Sequence, residues 1–444
     1  MKVLLLLLLS FSAACETVGV VGTGYVGLVL TSMLAKWGYE VVCIDIDEVK
    51  IGDLNRSILP IFEPGLKELL FKKKDRITFS TNFDLLNCAP IVFICVPTPP
   101  DATGNCNCAA IYLVLDRMEK WEMRERTICI KSTVSPGTIQ KIESYLGPDS
   151  KSAIVYNPEF MREGSALSDI ENMNPIVIGS RNEKGKEPIG ALYAPLLRSN
   201  NALEMIQTSP ETAELIKYSW NGFSAIRISY VNELSRLCST YRADLNTLLR
   251  AISWSERMVP TAKLAPGIGI GGSCLPKDTL AMSRIFESIG IENSLIHQAI
   301  RSNRAHTEAL IHQCLSYIGK KPQRIAVLGT AFKANTDDMR NAPSVPLIQA
   351  LINAGHTIQA YDPHAMKATA KLFPQVAFYD DPYRSLENVE CAIILTESSE
   401  FQNLDLDRAR LSVSKQRIID YKNVIDPAAA KKSGFEIVNL GRSE

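Results

Sequence analysis

"TVGVVGTGYVGLVLTSMLAKWGYEVVCIDID", residues 17–47, is the stretch whose reading decides the fold. Thr17 to Val21 reads as a short apolar strand. "GTGYVGLVLTSMLAKWG" follows as turn, helix and glycine stop, and "YEVVCIDID" as a second strand. Gly22, Gly24 and Gly27 have GxGxxG spacing, and Asp45 ends the second strand 23 residues after Gly22. In such a βαβ unit the glycines serve a tight turn, close approach to a pyrophosphate and helix–strand packing. The helix N-terminus then faces the phosphates. A carboxylate at position 45 favours a free ribose 2′-hydroxyl over a phosphate, so the unit is read as binding NAD rather than NADP. The competing reading is a turn that needs its glycines for packing alone.

Working outward, "APIVFICVPTPP", "RTICIKSTV", "SAIVYNPEF" and "NPIVIG" read as further strands, and their alternation with helices points to a doubly wound parallel sheet over roughly the first 200 residues. From Glu211 to about Gln313 the strand signal disappears; "ETAELIKYSWNGFSAIRISYVNELSRLCSTY" has long helical periodicity without proline. Such a helix suits a dimer surface or internal packing. A second α/β unit starts at "QRIAVLGTAFKANTDD", continues through a helix from about Ser344 to Ala354 and the strand "HTIQAYDP", and takes further strands from "CAIILTE" and "QRIIDYKNVID". It echoes the first unit but lacks the glycine fingerprint. Lys333 in "GTAFK" stands there instead, at a strand mouth where a phosphate is expected.

The 444 residues suit two or three domains, and 46 % apolar with 22 % charged residues is typical of a soluble globular chain. Lys plus Arg equals Asp plus Glu at 48 each, so nothing electrostatic points to nucleic acid or an anionic membrane. The 11 cysteines form no CxxC pair and the five histidines do not cluster near them. Neither a metal site nor a disulfide framework is indicated, and the cysteines read as free thiols of a reducing compartment. Cys106 and Cys108, the closest pair, read as a surface-loop coincidence. "MKVLLLLLLSFSAAC" resembles a secretory or lipoprotein signal, but a core strand begins directly after Cys15 and the run is too short to span a bilayer. The expectation is a cytoplasmic protein with an N-terminal hydrophobic extension.

"PGIGIGGSCLPKDTLA", residues 266–281, puts one cysteine at the end of a glycine-dense loop. Gly267, Gly269, Gly271 and Gly272 read as room for the backbone to pass close to a ligand, and Ser273 or Leu275 as the cap of a helix that Pro276 begins. A cysteine at a helix N-terminus beside a lysine is disposed to be a nucleophile. In an NAD-binding chain this implies oxidation at the aldehyde level: the thiol adds to an aldehyde, hydride leaves to NAD, and the thioester is hydrolysed. An inert loop cysteine would leave the glycines, Lys277 and Asp278 without a purpose. Lys217 and Asn221 in "ELIKYSWNGF" share a helix face and could stabilise an alkoxide, although a solvated lysine and a capping asparagine fit the residues alone better. Glu159 and Glu163 in "NPEFMREG" follow a strand, where water activation and plain surface exposure fit equally. Thr133 in "KSTVSPGT" reads as a hydrogen-bonder or a turn residue.

"GTGYVGL", "ILPIFEPGL", "FICVPTPP", "KSTVSPGT", "NPEFMREGSA", "ELIKYSWNGF", "GIGGSCLPKD" and "AFKANTDDMR" occur in order. Through them the chain resembles the nucleotide-sugar 6-dehydrogenases, the UDP-glucose/GDP-mannose dehydrogenase family, over about Thr17 to Arg442. The resemblance implies an α/β fold: two Rossmann-like doubly wound parallel-sheet domains joined by a helical dimerisation region. The expected limits are an extension 1–15, an NAD-binding domain 16–208, a central helical domain 209–313 and a C-terminal nucleotide-sugar-binding domain 314–444. It implies a four-electron oxidation of a sugar C6 alcohol to a carboxylate with two NAD, in a homodimer, supplying a uronic acid for polysaccharide. UDP-glucose is the expected substrate and GDP-mannose the alternative; a silent NAD- and nucleotide-sugar-binding protein and a one-step hydroxyacid dehydrogenase are the other classes. Carried over residue by residue, Cys274 is the nucleophile, Lys217 and Asn221 stabilise oxyanions, and Asp278, Thr133, Glu159 and Glu163 handle water and protons. Gly22, Gly24, Tyr25, Val26, Gly27, Asp45, Lys50, Thr98, Thr133, Glu163 and Arg340 would meet NAD. Glu159, Phe160, Lys217, Asn221, Arg257, Gly271, Lys333 and Arg442 would meet the nucleotide sugar, Arg257 from the partner subunit. Three positions depart from the family pattern: Asn174 where an arginine is frequent, "SWSERMVP" for GxDxRIG, and Tyr421 where glycine is common. None removes a catalytic residue.

Overall fold

The computed structural model describes residues 17–119, 125–172, 175–200, 202–253 and 265–441. The chain divides into two compact units, Met1–Ser219 and Trp220–Glu444. The expected extension 1–15 and Asn174 lie outside the described residues.

In the first unit the described strands are β1 (Thr17–Val21), β2 (Glu40–Ile44), β3 (Ile77–Ser80), β4 (Ile91–Ile94), β5 (Arg126–Ile130), β6 (Ser152–Tyr156), β7 (Ile176–Gly179) and β8 (Met205–Thr208). They form one sheet in the order β3-β2-β1-β4-β5-β6-β7-β8. Val18 pairs with Val41 of β2 on one side and Ile91 of β4 on the other, all parallel. The strands read as continuous apolar runs because both faces are covered. Along β4, Ile91 and Phe93 enter one core while Val92 and Ile94 enter the other. Each such side chain, fully buried, is worth roughly 1.5–3 kcal/mol.

One expectation needs correction: the sheet is not parallel throughout. β7 runs antiparallel to β6, and β8 is parallel to β7. The helix between β6 and β7, Ala166–Glu171, has six residues and cannot carry the chain back along a strand as a crossover helix would.

The second unit opens with helices. Pro210–Tyr241, 32 residues, enters it from the first unit, and Leu245–Ser253, Leu275–Ser288 and Leu295–Ile318 follow. The described strands are then β9 (Arg324–Leu328), β10 (Thr357–Tyr361), β11 (Ala377–Phe378), β12 (Cys391–Ile394), β13 (Arg417–Asp420) and β14 (Glu436–Asn439). They form an all-parallel sheet in the order β11-β10-β9-β12-β13-β14.

The echo between the two units is atomic. Gly22 N–H donates to Ile44 O at 2.7 Å, and Gly329 N–H donates to Tyr361 O at 2.8 Å. Thr23 N–H donates to Asp45 at 2.7 Å, and Thr330 N–H donates to Asp362 at 2.6 Å. The units diverge after that turn. The helix following β1 starts at Tyr25, whereas the helix following β9 starts only at Ser344, so the second unit has a long loop in place of a phosphate-facing helix. The departure Tyr421 is fully buried and donates its hydroxyl to Leu310 O at 2.9 Å, tying β13 to helix Leu295–Ile318.

Candidate active site

The three fingerprint glycines do different things. Gly22 has φ +105°, and a Cβ there would lie 2.6 Å from the Cys95 carbonyl oxygen. A Cβ at Gly27 would lie 1.9 Å from Gly22 O, so this position is glycine for helix–strand packing. A Cβ at Gly24 would meet nothing within 4 Å. Gly24 is also the N-cap of helix Tyr25–Trp37, and no side chain caps that helix. Helix N–H groups without a capping side chain, opening onto free space, fit the pyrophosphate of NAD.

Asp45 follows β2 directly. Burial pushes its carboxyl up, but bonds from the Thr23 hydroxyl (2.6 Å), the Thr23 N–H (2.7 Å) and the Asp47 N–H (3.0 Å) bring it below the usual carboxylate range. An ionised acceptor-only group there fits a hydroxyl and repels a phosphate. Lys50, half-buried, has its Nζ 3.7 Å from Asp47 Oδ2. Tyr25 donates to Phe62 O at 2.5 Å, and Val26 packs on the core. Thr98 donates to the Thr133 carbonyl at 2.7 Å, which joins the mouths of β4 and β5. Cys106 Sγ approaches the same carbonyl at 3.5 Å and lies 3.8 Å from Cys108 Sγ.

Beyond β6, Glu159 and Lys217 form an ion pair at 3.0 Å with side chains only 7 % and 4 % exposed. This corrects the reading of a solvated lysine and removes surface exposure as the alternative for Glu159. The other Glu159 oxygen accepts Met161 N–H at 2.7 Å, and Lys217 Nζ stands 5.4 Å from the Phe160 ring centroid. Glu163 is half-buried in the following loop.

In the second unit Cys274 itself is the N-cap of helix Leu275–Ser288; neither Ser273 nor Leu275 is. Its thiol is exposed, with Ser273 Oγ at 3.4 Å. One turn on, Asp278 is 1 % exposed with both oxygens in use: Asn221 Nδ2 donates to Oδ2 at 2.6 Å and Lys277 Nζ to Oδ1 at 2.6 Å. Asn221 therefore caps no helix. It is 7 % exposed, one turn along the same helix from Lys217.

At three glycines of the cysteine loop, protein atoms occupy the place a Cβ would take. A Cβ at Gly271 would lie 2.8 Å from Asn341 O and 2.9 Å from Phe332 Cβ, and one at Gly269 would lie 2.5 Å from Thr307 Oγ1. Gly272 has φ +89° and faces the Phe332 ring at 2.9 Å. Lys333 is half-buried, 5.5 Å from the Phe332 ring centroid. Arg340 is exposed and binds the Asp338 carboxylate through Nε and Nη2 at 2.7–3.0 Å. Arg257 and Arg442 lie outside the described residues.

Several supporting residues escaped the sequence reading. Glu63, 3 % exposed, accepts Gly164 N–H at 2.6 Å and Ala166 N–H at 2.7 Å, fixing the loop that carries Glu163. Its place in "FEPGL" was the only signal. Glu214, fully buried, accepts the Gly137 and Ile139 N–H groups beyond Thr133, and burial pushes its carboxyl up to about 7. Among the described residues no group of three or more His, Cys, Asp or Glu side chains could hold a metal ion, and no helix is long and apolar enough to cross a membrane.

Three domain models of one family match the chain: its NAD binding domain at residues 16–197, its central domain at 211–305 and its UDP binding domain at 326–427. The chain belongs to the UDP-glucose/GDP-mannose dehydrogenase family. It is 35 % identical over 436 residues to UDP-glucose 6-dehydrogenase TuaD of Bacillus subtilis, covering 96 % of this chain and 93 % of that one. It is 35 % identical over 430 residues to UDP-glucose 6-dehydrogenase of Rickettsia bellii, covering 95 % and 98 %. Among solved structures it is similar to a UDP-glucose dehydrogenase of Pyrobaculum islandicum, with a TM-score of 0.88, 28 % identity and coverage of 98 % and 99 %. Membership makes the chain an NAD-dependent nucleotide-sugar dehydrogenase.

Proposed function

We propose that this chain is a UDP-glucose 6-dehydrogenase, oxidising the C6 alcohol of UDP-glucose through the aldehyde to the carboxylate of UDP-glucuronate. The observation that carries the reading is the exposed Cys274 thiol at the N-cap of helix Leu275–Ser288, one turn ahead of the buried Asp278. NAD, when bound, accepts two electrons at each oxidation, so two molecules are consumed per product.

Cys274 Sγ bonds to C6 at the aldehyde stage. After the second oxidation C6 is a thioester, and water breaks the S–C bond, returning the thiol and leaving the carboxylate. Lys217 contributes a cation and Asn221 an N–H donor to oxygen as it gains negative charge. Glu159, Glu163, Thr133 and Asp278 hold the water and take or return protons. Gly22, Gly24, Tyr25, Val26, Gly27, Asp45, Lys50, Thr98 and Arg340 bind NAD. Phe160, Gly271, Lys333, Arg257 and Arg442 bind the nucleotide sugar, with Lys333 on the diphosphate. The working division is 16–208 for NAD, 209–313 for the central helices and 314–444 for the nucleotide sugar.

The functional form is a homodimer in the cytoplasm. Trp220, Phe223, Tyr230, Leu237 and Tyr241 on helix Pro210–Tyr241 are 49–75 % exposed. With Arg227 and Leu234 they follow a 3–4 spacing from 220 to 241, the seam by which two helices pack lengthwise. A second copy presenting the same seam covers it.

Parallel assays with UDP-glucose and GDP-mannose, following NADH and uronate, test the substrate. Turnover with UDP-glucose supports the reading; turnover with GDP-mannose alone overturns the sugar and retains the chemistry.

A further inference from the structure

The loop carrying Cys274 is fastened from one side by a single helix face. On helix Leu295–Ile318, Asn303 Oδ1 accepts Ile270 N–H at 2.8 Å and Thr307 donates its hydroxyl to Ile268 O at 2.8 Å. Between them, His306 Nε2 lies 2.8 Å from Gly267 O. Asn232, on helix Pro210–Tyr241, accepts Gly267 N–H at 3.1 Å. Toward the cysteine, Gly272 N–H donates to Arg340 O at 3.0 Å and Asn341 Nδ2 donates to Gly272 O at 3.1 Å. The loop therefore enters helix Leu275–Ser288 with its backbone tied along its length.

His306 is the member with two states. It is fully buried, and a carbonyl only accepts, so Nε2 carries the proton that binds Gly267. Nδ1 is buried with no partner among the described residues. A second proton there would put a charge and an unmatched donor inside the protein. Burial pulls the imidazole below its ordinary value, and the Gly267 bond opposes this. The charges facing it are Arg236 and Glu233 on helix Pro210–Tyr241. Lys422, paired with Glu397 at 2.8 Å, approaches Gly267 from the strand ends.

We propose that His306 is a positioning residue for the nucleophile: its neutral imidazole, through the Nε2–H bond to Gly267, fixes the loop that sets Cys274 at its helix N-terminus. The role rests on Cys274 as nucleophile. Losing the donor, or protonating the ring, loosens the loop and lowers kcat without weakening NAD binding.

Two variants of the full-length enzyme test this. His306→Gln keeps an N–H donor and cannot become cationic; His306→Leu keeps the bulk and loses the donor. His306→Leu should lower kcat roughly 10–100-fold, as a displaced reacting group does, with the NAD dissociation constant within about twofold. Amides 267–272 should exchange hydrogen faster in it than in wild type. His306→Gln should keep kcat within about threefold at neutral pH, and its kcat relative to wild type should rise only as pH falls below the ordinary imidazole value of about 6.5, because only wild type can be protonated there. Unchanged kcat and exchange in His306→Leu, equal losses in both variants, or a pH-independent ratio would each overturn the proposal. If His306→Leu does not fold, the pH ratio of His306→Gln decides. Amide exchange needs no substrate, so a failed clamp is distinguishable from a wrongly assigned nucleophile, which full turnover by Cys274→Ser would reveal.

Discussion

Asn221 and Asp278, on different helices and 57 residues apart, are joined by a 2.6 Å hydrogen bond at buried positions. Because Lys277 occupies the other Asp278 oxygen, the carboxylate fixes both an amide and an ammonium around the turn that presents Cys274. Asp278→Asn keeps the shape and removes the charge. It should lower kcat by about 10²-fold, the scale of losing a positioned proton or oxyanion partner, while NAD binding to the other unit is retained. Steady-state kinetics beside NADH fluorescence titration checks this; equal loss of both would contradict it.

The fingerprint glycines should separate by function. Gly27→Ala brings a methyl to within 1.9 Å of Gly22 O and should cost about 3 kcal/mol, a melting shift of roughly 6–12 °C. Gly24→Ala meets no protein atom within 4 Å, so it should melt like wild type and bind NAD at least about tenfold more weakly, its methyl filling the space where the backbone approaches the pyrophosphate. Calorimetry with a binding titration distinguishes them.

Lys217→Met strands a buried carboxylate and should destabilise the chain by about 3–5 kcal/mol. Adding Glu159→Gln should restore most of the stability and none of the turnover. Denaturant unfolding and an activity assay on the pair check this. Recovered activity would mean that the ion pair is structural only.

The contribution of the buried histidines to stability should fall with acid. His306 and His356 are both held below the ordinary imidazole value by burial. Between the unfolded value of about 6.5 and each folded value, these two imidazoles bind more protons unfolded than folded, so their contribution to stability rises with pH there, against the opposite contribution of Glu214. The histidine contribution is fully present above about 6.5 and is lost as pH falls through the folded values. His306→Gln should flatten part of that slope in melts from pH 7.5 to 5; an unchanged slope would show that His306 is accessible to protons when folded.

The exposed seam on helix Pro210–Tyr241 should hold the dimer. Phe223→Glu with Tyr230→Glu, residues 60 % and 55 % exposed, should yield monomers in analytical ultracentrifugation without lowering the melting temperature of the isolated fold. A persistent dimer would place the interface elsewhere.

The sheets were legible because a βαβ unit writes its turn glycines, strand-end acid and apolar runs locally, as residues 17–47 do. The direction of β7 was not, since "IVIG" reads alike in either sense and direction depends on the short helix before it. The cysteine loop was recognisable, but the reason for its glycines was not. Phe332 and Asn341, which close on Gly271 and Gly272, come some 60–70 residues later. Likewise Lys217 looked like a solvated charge and Glu159, 58 residues away, fitted a surface position as well as a catalytic one, and only folding turns them into a buried pair. Long-range packing decides such roles, and local spacing does not record it.

The central claim is a two-step oxidation through Cys274. Its most direct measurement is the number of NADH formed per uronate released from UDP-glucose, in wild type and in Cys274→Ser. The account predicts two per product in wild type and no uronate in the variant. One NADH per product, or uronate formed at the wild-type rate by Cys274→Ser, would contradict it.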